Sequence, residues 1–161
     1  MTESIQAAAV GFYDDWNLEA GADKVTAINS PDDDATSYID LNYNGSESYT
    51  LAASTIPVGS VINSVSVSMR LGDIWGAHNV RALLRLAGTD VLGTLYTPTG
   101  WQTFVEALTR PGGGAWTLSD LATLEIGIHG GAAGWMACST IFAIVDYTPP
   151  AGDTGDMMLV F

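Results

Sequence analysis

From Ser64 to Leu71 the sequence alternates without a break. Val65, Val67, Met69 and Leu71 fall on one side, and Ser64, Ser66, Ser68 and Arg70 on the other. Successive side chains on a strand point to opposite faces, so this pattern predicts a strand over 61–71 with one face on a core and the other on solvent. Half-burial of this kind belongs to antiparallel sheets, because parallel sheets are covered on both faces and read as continuous apolar runs.

The same period recurs along the chain. Residues 79–87 set Val80, Ala82, Leu84 and Leu86 against Arg81, Leu83 and Arg85. Residues 101–109 alternate again, and 135–147 carry Ile141, Ala143, Val145 and Tyr147 on one face before Pro149-Pro150 stops them. Shorter strands are expected at 37–42, where Tyr38 and Asp40 face away from Ile39 and Leu41, and at 49–52, 89–96 and 124–128. Turn signals separate them. Asn44-Gly45 predicts a hairpin, Ile56-Pro57-Val58-Gly59 a turn, and Arg110 to Gly114 a flexible loop that acts as a hinge. The helical signal is confined to one turn over Trp116–Leu121, with Thr117 or Ser119 as N-cap.

About eight strands at such spacing predict an all-β fold, an antiparallel β-sandwich of jelly-roll type with N- and C-terminal extensions. Residues 1–20 read as an N-terminal arm, 21–148 as the sandwich, and 149–161 as a polar flexible linker with an apolar C-terminal tail. The length suits one domain, and 47 % hydrophobic residues supply a core without disulfides.

Charge narrows the function classes. Eighteen acids against five bases give a net −13, and residues 1–47 hold ten of the acids with a single lysine, Lys24. Such a surface repels phosphate and argues against nucleic acid as a partner. No apolar run approaches the ~20 residues that cross a bilayer, so no membrane partner is expected. The opening Met-Thr-Glu-Ser-Ile-Gln lacks a basic n-region, so no secretory signal is expected there.

Catalytic and metal chemistry find little support. His78 and His129 stand outside any zinc-ligand spacing and read as surface or turn residues. Cys138, the single cysteine, lies within a predicted strand and reads as a packed thiol. There is no GxSxG and no phosphate loop, so no catalytic residue and no cofactor is assigned. The one carboxylate cluster, Asp32-Asp33-Asp34, is a weak candidate for Ca²⁺; its spacing is not that of an EF-hand, and a solvated acidic turn is the plainer reading.

Aromatic and apolar residues carry the binding candidates. Phe12, Tyr13 and Trp16 fall within five residues of one another and are expected to dock on the body or on a neighbour. Met157, Met158, Leu159, Val160 and Phe161 follow a polar linker and are expected to pack on another chain. Of five tryptophans, Trp75 and Trp135 sit at predicted turns and are candidate glycan-stacking rings, set against the commoner fate of tryptophan in a sandwich core.

Several of these segments together resemble a known group. They are Trp16, Val25-Thr26-Ala27-Ile28, Asp34-Ala35-Thr36-Ser37-Tyr38-Ile39, Ile56-Pro57 and Ile62 to Val67, followed by Trp116-Thr117, Asp120-Leu121, Leu124 to Ile128 and Ile144 to Tyr147. Over roughly residues 14–148 the pattern resembles the jelly-roll structural proteins of tailed bacteriophages and related viruses: head decoration, minor capsid or tail-associated subunits. The resemblance implies a virion structural protein, a capsid decoration or accessory subunit on the particle's exterior, made in the host cytoplasm. Its partners would be other virion proteins, the major capsid protein and copies of itself among them. Similar sandwiches also serve as carbohydrate-binding modules, so a glycan-binding module of a fibre or host-attachment protein is the alternative; a sugar hydrolase is the weakest reading.

Overall fold

The computed structural model describes residues 1–29, 36–41, 44–73, 79–131 and 135–151. Among these lie ten strands, β1 (Thr2–Asp14), β2 (Asn17–Ala20), β3 (Tyr38–Leu41), β4 (Gly45–Leu51), β5 (Val61–Asp73), β6 (Asn79–Leu86), β7 (Thr89–Leu92), β8 (Gln102–Leu108), β9 (Glu125–Gly131) and β10 (Met136–Thr148). A short helix, α1 (Lys24–Asn29), and a 3-10 helix (Leu118–Ala122) complete the elements.

All strand pairs are antiparallel, and the strands form a sandwich of two sheets. The first runs β2–β3–β10–β5–β8 and the second β4–β9–β6–β7. β1 belongs to both: Thr2–Gln6 pair with β10, and Ala7–Asp14 pair with β4. β10 pairs with β5 along its whole length and with β3 and β1 on its other side.

The predicted alternation is what fills the core. Val65, Val67, Met69 and Leu71 of β5, with Ile141, Ala143 and Val145 of β10, are fully buried in one cluster. Val80, Ala82 and Leu84 of β6 and Ile126 and Ile128 of β9 belong to the same cluster. Burying a branched or aromatic side chain of this size contributes about 1.5–3 kcal/mol relative to leaving it in water.

Several expectations are corrected. Residues 1–20 are not an arm. They form β1 and β2, and the count rises from about eight strands to ten because backbone pairing to β10, β4 and β3 captures that segment. Asn44-Gly45 does not turn a hairpin: β3 and β4 lie in different sheets, and Gly45 starts a strand that pairs with β9 and β1. The helix α1 was not expected. Val25 and Thr26 are poor helix formers, but Asp23 caps the turn by accepting from the Thr26 N–H at 2.8 Å, and Ala27 and Ile28 are fully buried.

The run Arg110 to Gly114 is tied down rather than a hinge. The Arg110 guanidinium donates to the Gly113 carbonyl at 2.7 Å and grips Asp120 through two bonds of 2.9 Å. Gly112, Gly113 and Gly114 all take φ near 80°, which only glycine adopts cheaply three times in a row. The 3-10 helix lies where expected, with Thr117 as its N-cap and Asp120 reaching back to the Thr117 N–H at 2.8 Å. No helix among the described residues is long and apolar enough to cross a membrane.

Candidate functional site

The outer face of the second sheet is where unusual side chains meet. Along β6 it carries Asn79, Arg81, Leu83 and Arg85, and across from them on β9 it carries Gly131, His129, Gly127 and Glu125. Ser46 and Ser48 of β4 continue the same rows. β7 adds Asp90 opposite Arg85.

At one end, β1 leaves the sheet plane. Val10 pairs with Tyr49, but the next registered pair is Asp14 with Glu47, so residues 11–13 stand opposite the single Ser48. This bulge folds over the outer face. The Phe12 N–H donates to Glu125 Oε2 at 2.8 Å, and the Tyr13 N–H donates to Ser48 Oγ at 3.0 Å. The Ser48 hydroxyl in turn donates to Glu125 Oε2 at 2.6 Å. Gly11 makes the seating possible, because a Cβ there would lie 2.3 Å from Glu125 Oε2.

The bulge presents two rings in a fixed orientation. Phe12 and Tyr13 meet edge to face, 5.0 Å between centroids at 84°. The Arg85 guanidinium lies 3.9 Å from the Phe12 centroid and 5.2 Å from that of Tyr13. Arg85 is itself held by Asp90 at 2.7 Å, and the Tyr13 hydroxyl donates to the other oxygen of the same carboxylate. That bond to Asp90 is the main reason the Tyr13 hydroxyl sits above its ordinary pKa. Phe12 nevertheless remains 66 % exposed. A phenyl ring fixed by a cation and left open to solvent is a ready stacking surface.

At the other end of the same face lies a cleft of about 590 Å³. It is lined by Asn44, Asn79, Arg81 and His129, with Leu92 and Leu95 as apolar wall. His129 Nδ1 and the Ser46 hydroxyl are 2.9 Å apart, and the Thr97 hydroxyl donates to Asn79 Oδ1 at 2.6 Å. Arg81 donates to the Gly93 carbonyl at 3.3 Å. Arg81 and Arg85 are four residues apart on one strand, so the cleft and the ring platform are separated by about 13 Å.

The candidates from sequence divide accordingly. Phe12 and Tyr13 come together on the platform. Trp16 does not join them: it is 1 % exposed and packed in the core, its backbone N–H donating to Glu47 Oε2 at 3.0 Å, so it has no surface to offer a partner. Trp135 is 37 % exposed immediately before β10, four residues beyond Gly131 of the cleft lining. Trp101 lies over Gly72, and Trp116 packs against the core. Cys138 is buried and its thiol is pushed up to about 12 by desolvation. Asp32, Asp33, Asp34, Trp75, His78 and the tail Met157, Met158, Leu159, Val160 and Phe161 lie outside the described residues. Among the described residues no group of three or more His, Cys, Asp or Glu is placed to hold a metal ion.

Sequence reasoning missed Arg81, Arg85, Asp90, Glu125 and the role of His129. The available signal was the pair of arginines four apart on the polar side of an alternating strand, which sets two guanidinium groups in one row.

No family model matches the chain. No curated protein matches it either. Among solved structures it is similar to the C-terminal CBM6 of LamC, a marine laminarinase from Zobellia galactanivorans. The match has a TM-score of 0.52 at 15 % identity and covers 91 % of this chain and 100 % of that one. At that identity the likeness is one of fold, and it agrees with the antiparallel β-sandwich described above.

Proposed function

We propose that this chain is a glycan-binding β-sandwich that acts by binding rather than by catalysis, with its ligand lying along the outer face of the second sheet from Phe12 to the Arg81 cleft. The exposed Phe12 ring carries the reading. It stands on a bulge that exists only because β1 departs from the sheet, and Arg85 fixes its plane. Sugars present apolar C–H faces that stack on such a ring, and their hydroxyls suit the amide, guanidinium and imidazole groups lining the cleft. The two features lie about 13 Å apart, a span that takes a short oligosaccharide rather than a single sugar. The likeness of fold to a carbohydrate-binding module supports the same reading.

The test is a glycan array followed by calorimetry on the intact chain and on Phe12→Ala. The expected result is a defined set of bound glycans and a loss of about tenfold or more in affinity, the equivalent of ~1.4 kcal/mol, for the variant. A virion subunit would use the same exposed ring as a contact for a neighbouring protein. If no glycan binds while the chain copurifies with particles in a Phe12-dependent manner, that reading replaces this one.

A further inference from the structure

Charge in the cleft narrows the ligand, given the glycan-binding reading on which this step rests. The chain has 18 acids and 5 bases, so a cation without an acidic partner is unexpected. Lys24 is bonded to Asp14 and Glu47, Arg85 to Asp90, and Arg110 to Asp120, while Arg70, on the other sheet, donates to the Thr103 hydroxyl. Arg81 differs. Among the described residues no carboxylate bonds to it, and its contact is one Nη1–H to the Gly93 carbonyl. Among the described residues no Asp or Glu lines the cleft around it.

A guanidinium has five donors in a planar fork, and the Gly93 carbonyl occupies one. The remainder of the fork borders a cleft that also holds His129, the direct cross-strand neighbour of Arg81, and the Asn79 side chain one position from it on the same face. Such a fork matches an oxyanion with two oxygens in one plane. We infer that the cleft binds an acidic glycan, a sugar bearing a carboxylate or a sulfate ester that pairs with Arg81, while Phe12 stacks on an adjoining ring of the same chain. The preference is local: the protein's overall negative charge opposes polyanions at long range, and the short pair with Arg81 offsets this once salt screens the repulsion.

The experiment measures binding of the intact protein at physiological salt to two matched pairs of probes. One pair is an oligogalacturonate and its carboxyl-reduced neutral counterpart; the other is a sulfated oligosaccharide and the same backbone desulfated. Each is titrated into the native chain, Arg81→Gln, Arg81→Lys and Phe12→Ala, with a thermal melt to confirm that each variant is folded. The expected result is tighter binding of at least one acidic member than of its neutral partner. Arg81→Gln then erases that preference, lowering affinity for the acidic probe about tenfold or more and for the neutral one by far less, since that one loses only a hydroxyl contact. Arg81→Lys keeps part of it. The pair that shows the preference tells a carboxylate site from a sulfate site. If neutral glycans bind through Phe12 and Arg81→Gln changes nothing, the acidic preference is overturned and the glycan site stands. If no glycan on the array or in these pairs binds, both fall together.

Discussion

Glu47 is the residue whose chemistry is least like its surroundings. It is fully buried beneath the start of α1, where it accepts from the Trp16 N–H at 3.0 Å and from Lys24 at 3.1 Å. Desolvation outweighs both donors, and Asp14 adds a like charge, so the carboxyl is pushed up from 4.5 to about 7. Asp40, also buried, is raised to about 6 by burial and then by Glu19. A carboxyl whose folded pKa is raised favours the fold when protonated. That contribution is complete below the ordinary pKa and is lost as pH rises through the raised one. Asp120 has the opposite sign: Arg110 and the Thr117 bonds hold it down to about 2 against desolvation, so its contribution is present above 3.8 and lost as pH falls through 2. The melting temperature should therefore peak near pH 4 to 5 and fall by several degrees by about pH 8. Glu47→Gln should flatten most of that fall, leaving the smaller slope from Asp40. A native melting temperature that stays level or rises from pH 5 to 8, in low salt, would contradict this assignment.

At the scale of elements, the bulge of β1 is the unit on which the platform depends. Its three residues are held by Glu125 and Ser48 on neighbouring strands, and its shape needs the missing side chain at position 11. Gly11→Ala should push the Glu125 carboxylate off the Phe12 N–H and loosen the stack on Arg85. The expected cost is about 1–3 kcal/mol in chemical denaturation, as for other overpacked sites. It should come with a weaker near-ultraviolet circular dichroism band from Phe12 and Tyr13 and with loss of ligand affinity comparable to Phe12→Ala. A variant of native stability and native affinity would show that the bulge tolerates a side chain and that its geometry is not set by this contact.

For the whole molecule, β1 is the strand that ties the two sheets together. Its first half completes the pairing of β10 and its second half that of β4, so its removal exposes backbone edges on both layers together with Ile5 and Ala7 of the core. An arm can be cut away without harm; a shared strand cannot. Deletion of residues 1–14 should abolish cooperative thermal unfolding, with far-ultraviolet circular dichroism showing loss of sheet. A truncated chain that melts cooperatively near the native temperature would mean that β10 and β4 hold their sheets unaided.

The sandwich was legible because its long strands bury one face each. In β5 and β6 the alternation of Val, Met, Leu and Ala with Ser and Arg is written into neighbouring residues, and the cap at Thr117 is likewise a local signal. β1 was not legible. Ala7-Ala8-Ala9 has no alternation, and the strand changes sheets midway, so no single periodicity describes it. The helix α1 was hidden for a related reason: six residues with three β-branched ones form a turn only when Ala27 and Ile28 find a core to enter. The candidate site shows the same division. An exposed aromatic near the N-terminus could be suspected from Phe12 and Tyr13 alone, and so could the burial of at least one ring in that group. That Trp16 is the ring that enters the core, and that Arg85, Asp90 and Glu125 come from 72 to 113 residues away to hold the other two, depends on strand order. Sequence spacing determines which side of a strand a residue takes, because the pleat repeats every two residues; only the tertiary structure decides which strands lie side by side, because that choice rests on backbone pairing between segments far apart in the chain.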